Sequence, residues 1–202
     1  NPGSVYHLTK CLDALIFQFY NKNDGLRVTD LHQGIVWGTN TPQTIRDERL
    51  INRFDYDGDY GTVLNRFISQ ASNGYPLTVY GTGGQTRAFI HISDTAKCIK
   101  LAIESKPENY NGVRIFNQVS ESRSVSEIAN IIAKIYNVEI KHINNPRKEL
   151  PENQLEVENK GLISLGFKPT LLNEGLINDI KYIADNTHES FNEDNVLTSP
   201  NW

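Results

Sequence analysis

The stretch Pro76-Leu-Thr-Val-Tyr-Gly-Thr-Gly-Gly-Gln-Thr-Arg-Ala-Phe-Ile-His-Ile-Ser-Asp94 contains the alternation of elements that decides the fold. Leu77 to Tyr80 and Arg87 to Ile92 predict two short strands on either side of a glycine-rich turn. Ser93 is expected to cap a helix that follows at once and runs to about Glu104. Strands that alternate with helices in this way predict an α/β protein.

The same alternation continues upstream of this stretch. Residues 4–20 carry apolar side chains at helical spacing, and residues 26–37 are rich in strand-forming residues. A further helix is predicted at 62–71. The connection at 39–60 has no clear periodicity, and a connection of that length in a compact protein is usually functional or disordered.

Downstream, four more elements are predicted. They are a strand at 113–118, a helix from the capping box Ser124-Val-Ser-Glu127 to about Tyr136, a strand at 138–143 and an amphipathic helix at 172–185. The polar tail after His188 is expected to be loosely held.

The composition excludes several classes of protein. With 38% hydrophobic and 22% charged residues the chain is typical of globular proteins, and its apolar runs are too short to span a membrane. The net charge of −4 gives no basic surface for nucleic acid as the main partner. Cys11 and Cys98 lie in predicted helices outside any metal-binding spacing, so we expect reduced thiols in a cytosol-like compartment.

Tyr6-His-Leu-Thr-Lys10 is the first candidate catalytic motif. Residues four apart on a helix share a face, so Tyr6 and Lys10 point the same way. A phenol titrates near pH ~10, and a neighbouring ammonium lowers that pKa by stabilising the phenolate. The resulting base removes a hydroxyl proton while a hydride leaves the same carbon for a nicotinamide. A solvated tyrosine–lysine pair is the alternative.

The second candidate motif is Gly81-Thr-Gly-Gly-Gln-Thr-Arg87. It lacks the Gly-Lys-Ser/Thr ending of a Walker loop, and the chain contains no G-x-G-x-x-G dinucleotide fingerprint after a strand. A tight turn that delivers Arg87 onto a strand suits an anion clamp, because a guanidinium group binds phosphate with two hydrogen bonds. A hairpin turn with a surface arginine is the alternative.

Together these motifs resemble the extended short-chain dehydrogenase/reductases that act on nucleotide sugars, and Leu165-Gly-Phe-Lys-Pro169 is similar to a segment near their carboxyl ends. Within that superfamily the chain resembles the UDP-sulfoquinovose synthases over nearly its whole length. The additional segments that carry this resemblance are Asp30-Leu-His-Gln-Gly34, Asn52-Arg-Phe-Asp-Tyr-Asp57, Gly61-Thr-Val-Leu-Asn-Arg-Phe67, Phe116-Asn-Gln118, Asn145-Pro-Arg147 and Ser199-Pro-Asn-Trp202.

The resemblance implies the fold and its division into domains. The chain would be the C-terminal part of a Rossmann-like doubly wound sheet together with a smaller mixed α/β substrate-binding domain. Residues 1–38 would end the NAD-binding domain and carry the catalytic helix. Residues 39–187 would mainly bind the nucleotide sugar, with 87–118 returning in part to the NAD-binding domain, and 188–202 would form a tail. We expect the N-terminal segment of the same enzyme to precede the chain.

The resemblance also implies a reaction. Such enzymes oxidise C4 of UDP-glucose with tightly bound NAD, eliminate water across C5–C6, add sulfite at C6 and reduce C4 again, and we expect the protein to be classed as a hydrolase. Tyr6 would be the base at O4, and Lys10 would tune it and hold the nicotinamide ribose. His7 would handle a proton or attract sulfite, with a structural histidine as the alternative. Gly34 and Val36 would contact the cofactor, with a strand end and its turn glycine as the alternative.

A larger set of residues is implied to bind the substrate. These are Gln33, Arg53, Thr62, Leu64, Asn65, Arg66, Thr78, Tyr80, Gln85, Arg87, Arg147 and Glu149. The helix that begins after Thr62 would offer its N terminus to the pyrophosphate, and residues 78–80 would hold the uracil. The alternatives are an ordinary helix cap, a plain strand and, for Arg147 and Glu149, a charged surface loop.

Partners and location follow from the same resemblance. We expect a homodimer formed through the helix of Tyr6, whose apolar residues would otherwise serve the core. No metal is expected, because Asp55-Tyr-Asp-Gly-Asp59 places its glycine wrongly for a calcium loop. The compartment is expected to be the cytoplasm, or a plastid if a transit peptide is missing. A UDP-glucose 4-epimerase, a nucleotide-sugar dehydratase and a non-catalytic nucleotide-sugar-binding module are the alternatives.

Overall fold

The computed structural model describes residues 5–51, 54–58, 60–105, 112–146, 150–187 and 191–196. The helices in these ranges are α1 (Val5–Asp24), α2 (Val63–Ser72), α3 (Ile92–Glu104), α4 (Val125–Tyr136), α5 (Lys160–Ser164), α6 (Leu172–Thr187) and α7 (Glu193–Val196). The strands are β1 (Thr29–Gln33), β2 (Ile35–Trp37), β3 (Leu77–Tyr80), β4 (Gly84–His91), β5 (Arg114–Gln118), β6 (Glu121–Ser124), β7 (Ile140–Ile143) and β8 (Glu152–Asn153). Two short 3₁₀ helices, Thr44–Arg46 and Glu48–Leu50, lie between β2 and α2.

Most of the strand pairs are parallel. β1 pairs with β5, β2 with β4, β3 with β7 and β4 with β8 in parallel, while β6 runs antiparallel to β4. Parallel partners need a crossover connection, and α2 and α4 lie in the segments that connect them. The predicted α/β fold is confirmed.

The core lies where α2 and α4 pack over the strands. Phe67 of α2, Leu77 of β3 and Ile132 of α4 are completely buried in its larger cluster. A second cluster, which includes Cys98 and Leu162, joins β4, α3 and α5. Burial, with a smaller contribution from the charge of Asp94, raises the pKa of the Cys98 thiol to about 11, so this thiol stays protonated near neutral pH.

The start of α4 is determined by local sequence. The Ser124 hydroxyl accepts a hydrogen bond from the Glu127 N–H at 3.1 Å, and the Glu127 carboxylate accepts one from the Ser124 N–H at 2.7 Å. The predicted capping box is therefore confirmed. The backbone N–H of Ser124 is the largest cause that lowers the pKa of Glu127 below its usual range.

The prediction that Ser93 caps α3 is wrong by two residues. β4 continues to His91, and the His91 ring caps the helix by accepting a hydrogen bond from the Ser93 N–H at 3.2 Å. A histidine in this role is not signalled by residue type, because serine, threonine, aspartate and asparagine are the usual N-cap residues.

The structure also contains elements that the sequence did not indicate, namely β6, β8, α5 and α7. The tail is not loosely held throughout, because Phe191 stacks on Tyr56 with ring centres 5.5 Å apart and Val196 is 1% exposed. None of the helices in the described ranges combines the length and apolar character needed to cross a membrane.

Candidate functional site

Two neighbouring cavities meet at the N terminus of α2. The first, of about 320 Å³, is called the tryptophan cavity here and has Trp37, Asp55, Asn65 and Asp179 in its wall. The second, of about 180 Å³, is called the arginine cavity and is lined by Ile35, Asp57, Gly58, Gly61, Thr62, Val63, Arg66, Tyr80, Gln85, Arg87 and Val125. Thr62 lines both cavities.

The turn before α2 shapes the boundary between the cavities. The Thr62 hydroxyl caps the helix by accepting a hydrogen bond from the Asn65 N–H at 3.2 Å. Gly61 is required there, because a Cβ atom at this position would lie 2.5 Å from the carbonyl oxygen of Asp57. The remaining N–H groups and the dipole of the helix favour an anion at this end.

Arg66 brings a fixed positive charge into the wall of the arginine cavity. Its side chain is 6% exposed and donates a hydrogen bond to the carbonyl oxygen of Thr78 at 3.0 Å. Its guanidinium carbon lies 4.2 Å from the centre of the Tyr80 ring. A guanidinium group held by a carbonyl and an aromatic face is well placed to pair with a phosphate.

Gln85 is the most informative residue of the arginine cavity. It is 3% exposed, and its side-chain nitrogen has no hydrogen-bond partner within the described part of the chain. A buried donor without a partner is costly, which makes an acceptor from a ligand its natural complement. Arg87, two residues along the same strand, adds a second guanidinium group to this cavity.

Thr78 lies behind the cavity rather than in its wall. Its N–H donates to the Gln70 side-chain oxygen at 3.1 Å, and its hydroxyl accepts from the Gln70 side-chain nitrogen at 2.9 Å. Its carbonyl oxygen accepts the bond from Arg66. Thr78 thus holds Arg66 in position. Leu64, also predicted to bind substrate, is almost completely buried and lines the tryptophan cavity.

The candidate catalytic residues lie on α1, and none of them lines either cavity. Tyr6 is 66% exposed, and the Lys10 ammonium nitrogen lies 5.8 Å from the centre of its ring. The His7 ring meets the Tyr6 ring edge-on, with centres 5.6 Å apart. A hydrogen bond to Asp13 is the largest cause that raises the pKa of Lys10, which therefore remains an ammonium group near neutral pH.

The strands after α1 carry the remaining predicted positions. Gly34 is required between β1 and β2, because a Cβ atom there would lie 2.9 Å from the carbonyl oxygen of Ala88. Gln33 is exposed at the end of β1, and Val36 lines the tryptophan cavity. The predicted substrate residues Arg53, Arg147 and Glu149 lie outside the described residues.

A buried cluster beside the tryptophan cavity was not predicted from the sequence. His91 places one ring nitrogen 3.1 Å from the Asp179 carboxylate and the other 2.7 Å from the Ser93 hydroxyl. Its ring packs edge-on against Trp37, with centres 4.5 Å apart. The sequence feature that could have indicated this cluster is Asp179, which lies at helical spacing between Leu176 and Ile183, two buried apolar residues of α6.

Residues 1–117 match the sequence model of the NAD dependent epimerase/dehydratase family. The chain belongs to this family. Two relatives show where it stands among the members. The chain is 41% identical over 205 residues to the chloroplastic UDP-sulfoquinovose synthase of Spinacia oleracea, with 99% of the chain and 42% of the relative covered. It is 44% identical over 172 residues to the UDP-sulfoquinovose synthase of Sulfolobus acidocaldarius, with 83% and 43% covered.

The resemblance to UDP-sulfoquinovose synthases is therefore confirmed. The chain spans less than half the length of these two relatives.

Solved structures agree on the fold. The UDP-glucuronic acid 4-epimerase of Bacillus cereus, solved with UDP-glucuronic acid and NAD, superposes with a TM-score of 0.70 at 23% identity, covering 92% of this chain and 54% of that one. The UDP-glucose 4-epimerase of Thermotoga maritima gives 0.71 at 19% identity, covering 89% and 53%.

The expectation of a hydrolase is wrong. The matching family is one of NAD dependent epimerases and dehydratases. Epimerases rearrange their substrate and dehydratases remove water from it, whereas a hydrolase cleaves a bond by adding water.

Proposed function

We propose that the full-length protein makes UDP-sulfoquinovose from UDP-glucose and sulfite with tightly bound NAD. In this reaction C4 of the sugar is oxidised, water is eliminated across C5–C6, sulfite adds at C6 and C4 is reduced again. The observation that carries the proposal is the arginine cavity. A buried glutamine nitrogen with no partner among the described residues, two guanidinium groups and a helix N terminus converge there. The identity to two enzymes of that name supports the choice of reaction.

In this proposal the arginine cavity binds the UDP part of the substrate. Arg66 and Arg87 pair with the pyrophosphate, and the N terminus of α2 after Thr62 adds backbone N–H donors. The nitrogen of Gln85 donates to an oxygen of the nucleotide, which gives an acceptor to a buried donor that has no partner among the described residues. Gln33 and Asn65, with Arg53, Arg147 and Glu149, complete the predicted set.

The proton chemistry is assigned to α1. Tyr6 takes the proton from O4, and the Lys10 ammonium stabilises the phenolate that acts as the base. His7, whose ring contacts that of Tyr6, is proposed to move a proton or attract sulfite during the C5–C6 chemistry.

The residues present fit a nicotinamide cofactor beside α1. Tyr6 is largely exposed, and the Lys10 side chain is 60% exposed, so both are accessible on the same helix face. We assign Tyr6 and Lys10 to the nicotinamide ribose, and we assign Gly34 and Val36 to other contacts with the same cofactor. NAD, when bound, would accept a hydride from C4 and later return it.

A homodimer is part of the proposal. No described residue of α1 is buried, and Leu12, Leu15, Ile16 and Phe19 are all exposed on it, with Phe19 at 59%. Apolar surface of this extent on one helix favours a covering partner. We propose that a second copy and the N-terminal segment of the same enzyme cover it between them.

Two variants of the full-length protein test the catalytic assignment. Tyr6→Phe should abolish both C4 oxidation and sulfite-dependent product formation while UDP binding is retained, because Tyr6 does not line the arginine cavity. His7→Ala should reduce sulfite-dependent turnover far more than C4 oxidation. Equal losses of both activities in His7→Ala would exclude a specific role for this histidine.

A second candidate is a UDP-glucose 4-epimerase, favoured by the superposition on the 4-epimerases described above. Both candidates require the same base and the same UDP site. They are separated by the product, since an epimerase forms UDP-galactose whether or not sulfite is present.

A further inference from the structure

The loop at 54–61 forms a wall of both cavities. Phe54, Asp55 and Tyr60 line the tryptophan cavity, and Asp57, Gly58 and Gly61 line the arginine cavity. Tyr56 is the described residue of this loop that lines neither cavity. The shape of the proposed nucleotide site therefore depends on the conformation of this loop.

One side of the loop is attached to α2. The Asn65 side chain donates a hydrogen bond to the carbonyl oxygen of Asp55 at 2.9 Å. Within the loop, the Asp57 carboxylate accepts a bond from the Tyr60 N–H at 2.7 Å, and the Asp57 carbonyl oxygen accepts one from the Gly61 N–H at 3.1 Å. These bonds fix the turn but leave the Tyr56 side chain to be held from elsewhere.

The other side of the loop is attached to the C-terminal segment Phe191–Val196. The Phe191 ring stacks on Tyr56, with centres 5.5 Å apart and planes 29° apart. The Tyr56 hydroxyl accepts a hydrogen bond from the Asn192 N–H at 2.9 Å. The Gly58 N–H donates to the carbonyl oxygen of Asn195 at 3.1 Å.

Phe191 also reaches the far end of α2. Its ring lies 5.1 Å from that of Tyr75, and the Tyr75 N–H donates to the carbonyl oxygen of Gln70 at 2.9 Å. Gln70 is the residue whose side chain binds Thr78, which in turn holds Arg66. One aromatic ring thus connects the cavity loop to the helix that carries the cavity arginine.

We propose that the segment Phe191–Val196 is a strap that sets the conformation of the 54–61 loop, and that Phe191 is a positioning residue for nucleotide binding. It acts through Tyr56 and does not contact the ligand. The burial of Val196, which is 1% exposed, anchors the strap to the body of the protein. This inference rests on the proposed function of the arginine cavity.

The test uses the full-length protein, with UDP as the probe in calorimetry and UDP-glucose as the substrate in kinetics. Phe191→Ala should weaken UDP binding by about tenfold, because the energy of the two lost ring contacts, with Tyr56 and Tyr75, corresponds to a change in affinity of about this size. KM for UDP-glucose should rise by a similar factor while kcat changes by less than about twofold. Phe191→Tyr keeps the ring and should restore both values.

Leu162→Ala is the matched control, because Leu162 is 1% exposed in the second core cluster and lines neither cavity. It should lower the melting temperature while UDP affinity is unchanged. The strap is overturned if Phe191→Ala lowers the melting temperature but binds UDP as tightly as the wild type, or if Leu162→Ala weakens UDP binding equally.

Amide hydrogen exchange separates failure of the strap from failure of the proposed function. Phe191→Ala should speed exchange at the N–H groups of Gly58 and Gly61, whether or not a nucleotide binds. A wild-type protein that binds no UDP would contradict the proposed function. Exchange at these two amides that is unchanged in Phe191→Ala would contradict the strap.

Discussion

Replacing Gln85 by leucine should move stability and binding in opposite directions. The Gln85 side-chain nitrogen is buried and has no partner within the part of the chain that the structure describes, so the ligand-free protein bears the cost of an unsatisfied donor. Such a donor costs about 1–3 kcal/mol, part of which the glutamine recovers through its other contacts. Leucine has a similar volume and no polar atom. We therefore expect Gln85→Leu to stabilise the ligand-free protein by about 1 kcal/mol, a rise in melting temperature of roughly 2 °C.

The same substitution should weaken nucleotide binding. A hydrogen bond from a buried amide to a charged acceptor contributes about 1.5–3 kcal/mol, which corresponds to roughly a ten- to hundredfold weaker affinity for UDP. Thermal unfolding of the full-length protein without ligand gives the first quantity, and calorimetric titration with UDP gives the second. Gln85→Glu is the matched control, because it keeps the shape but places a carboxylate against the phosphates and should weaken binding further.

The prediction requires that Gln85→Leu raise the melting temperature and lower the UDP affinity at the same time. A lower melting temperature for Gln85→Leu, together with unchanged UDP affinity, would mean that the amide is satisfied inside the protein. The arginine cavity would then lose the observation on which its assignment rests.

Three further predictions concern the fold around the site. The pKa of Glu127 is lowered in the folded protein, so its ionised carboxylate stabilises the fold above its ordinary pKa of about 4.3. This contribution is lost as the pH falls through the folded-state pKa. The melting temperatures of wild type and Glu127→Gln should therefore differ at pH 7 and converge in acid. His91→Ala leaves the buried Asp179 carboxylate without its imidazole donor and should lower the free energy of unfolding by about 1–3 kcal/mol. A double-mutant cycle with Asp179→Asn, measured by denaturant unfolding, should show that the two effects are coupled and not additive. Cys98 is buried with a raised pKa and should resist alkylation of the native protein at pH 8 but react after unfolding, as peptide mass spectrometry would reveal.

The sequence predicted elements whose signals are local. α4 combines a capping box with an apolar face at helical spacing, and both appear in the structure. β6 was missed because Glu121-Ser-Arg-Ser124 has no apolar alternation and is held by its antiparallel pairing with β4. α7 was missed because a four-residue helix depends on tertiary contacts, here those that bury Val196.

The residues of the candidate site also fall into two groups, those that the sequence indicates and those that only tertiary contacts bring together. Arg87 was predicted from its motif and Arg66 and Gln85 from the family resemblance, and all three line one cavity in the structure. Asp179 could not be paired with His91 in advance, because 88 residues separate them and only the docking of α6 brings them together. The contact between Phe191 and Tyr56 likewise depends on the return of the chain end to the loop. The domain boundaries stay a prediction.

The product formed by the full-length protein decides whether it makes UDP-sulfoquinovose. The protein is incubated with UDP-glucose and isotopically labelled sulfite, and the nucleotide sugars are separated and identified by mass spectrometry. We expect a UDP-hexose that carries the labelled sulfonate and that is not formed by Tyr6→Phe. Formation of UDP-galactose or an unlabelled keto-sugar, with no label in any nucleotide sugar, would contradict it.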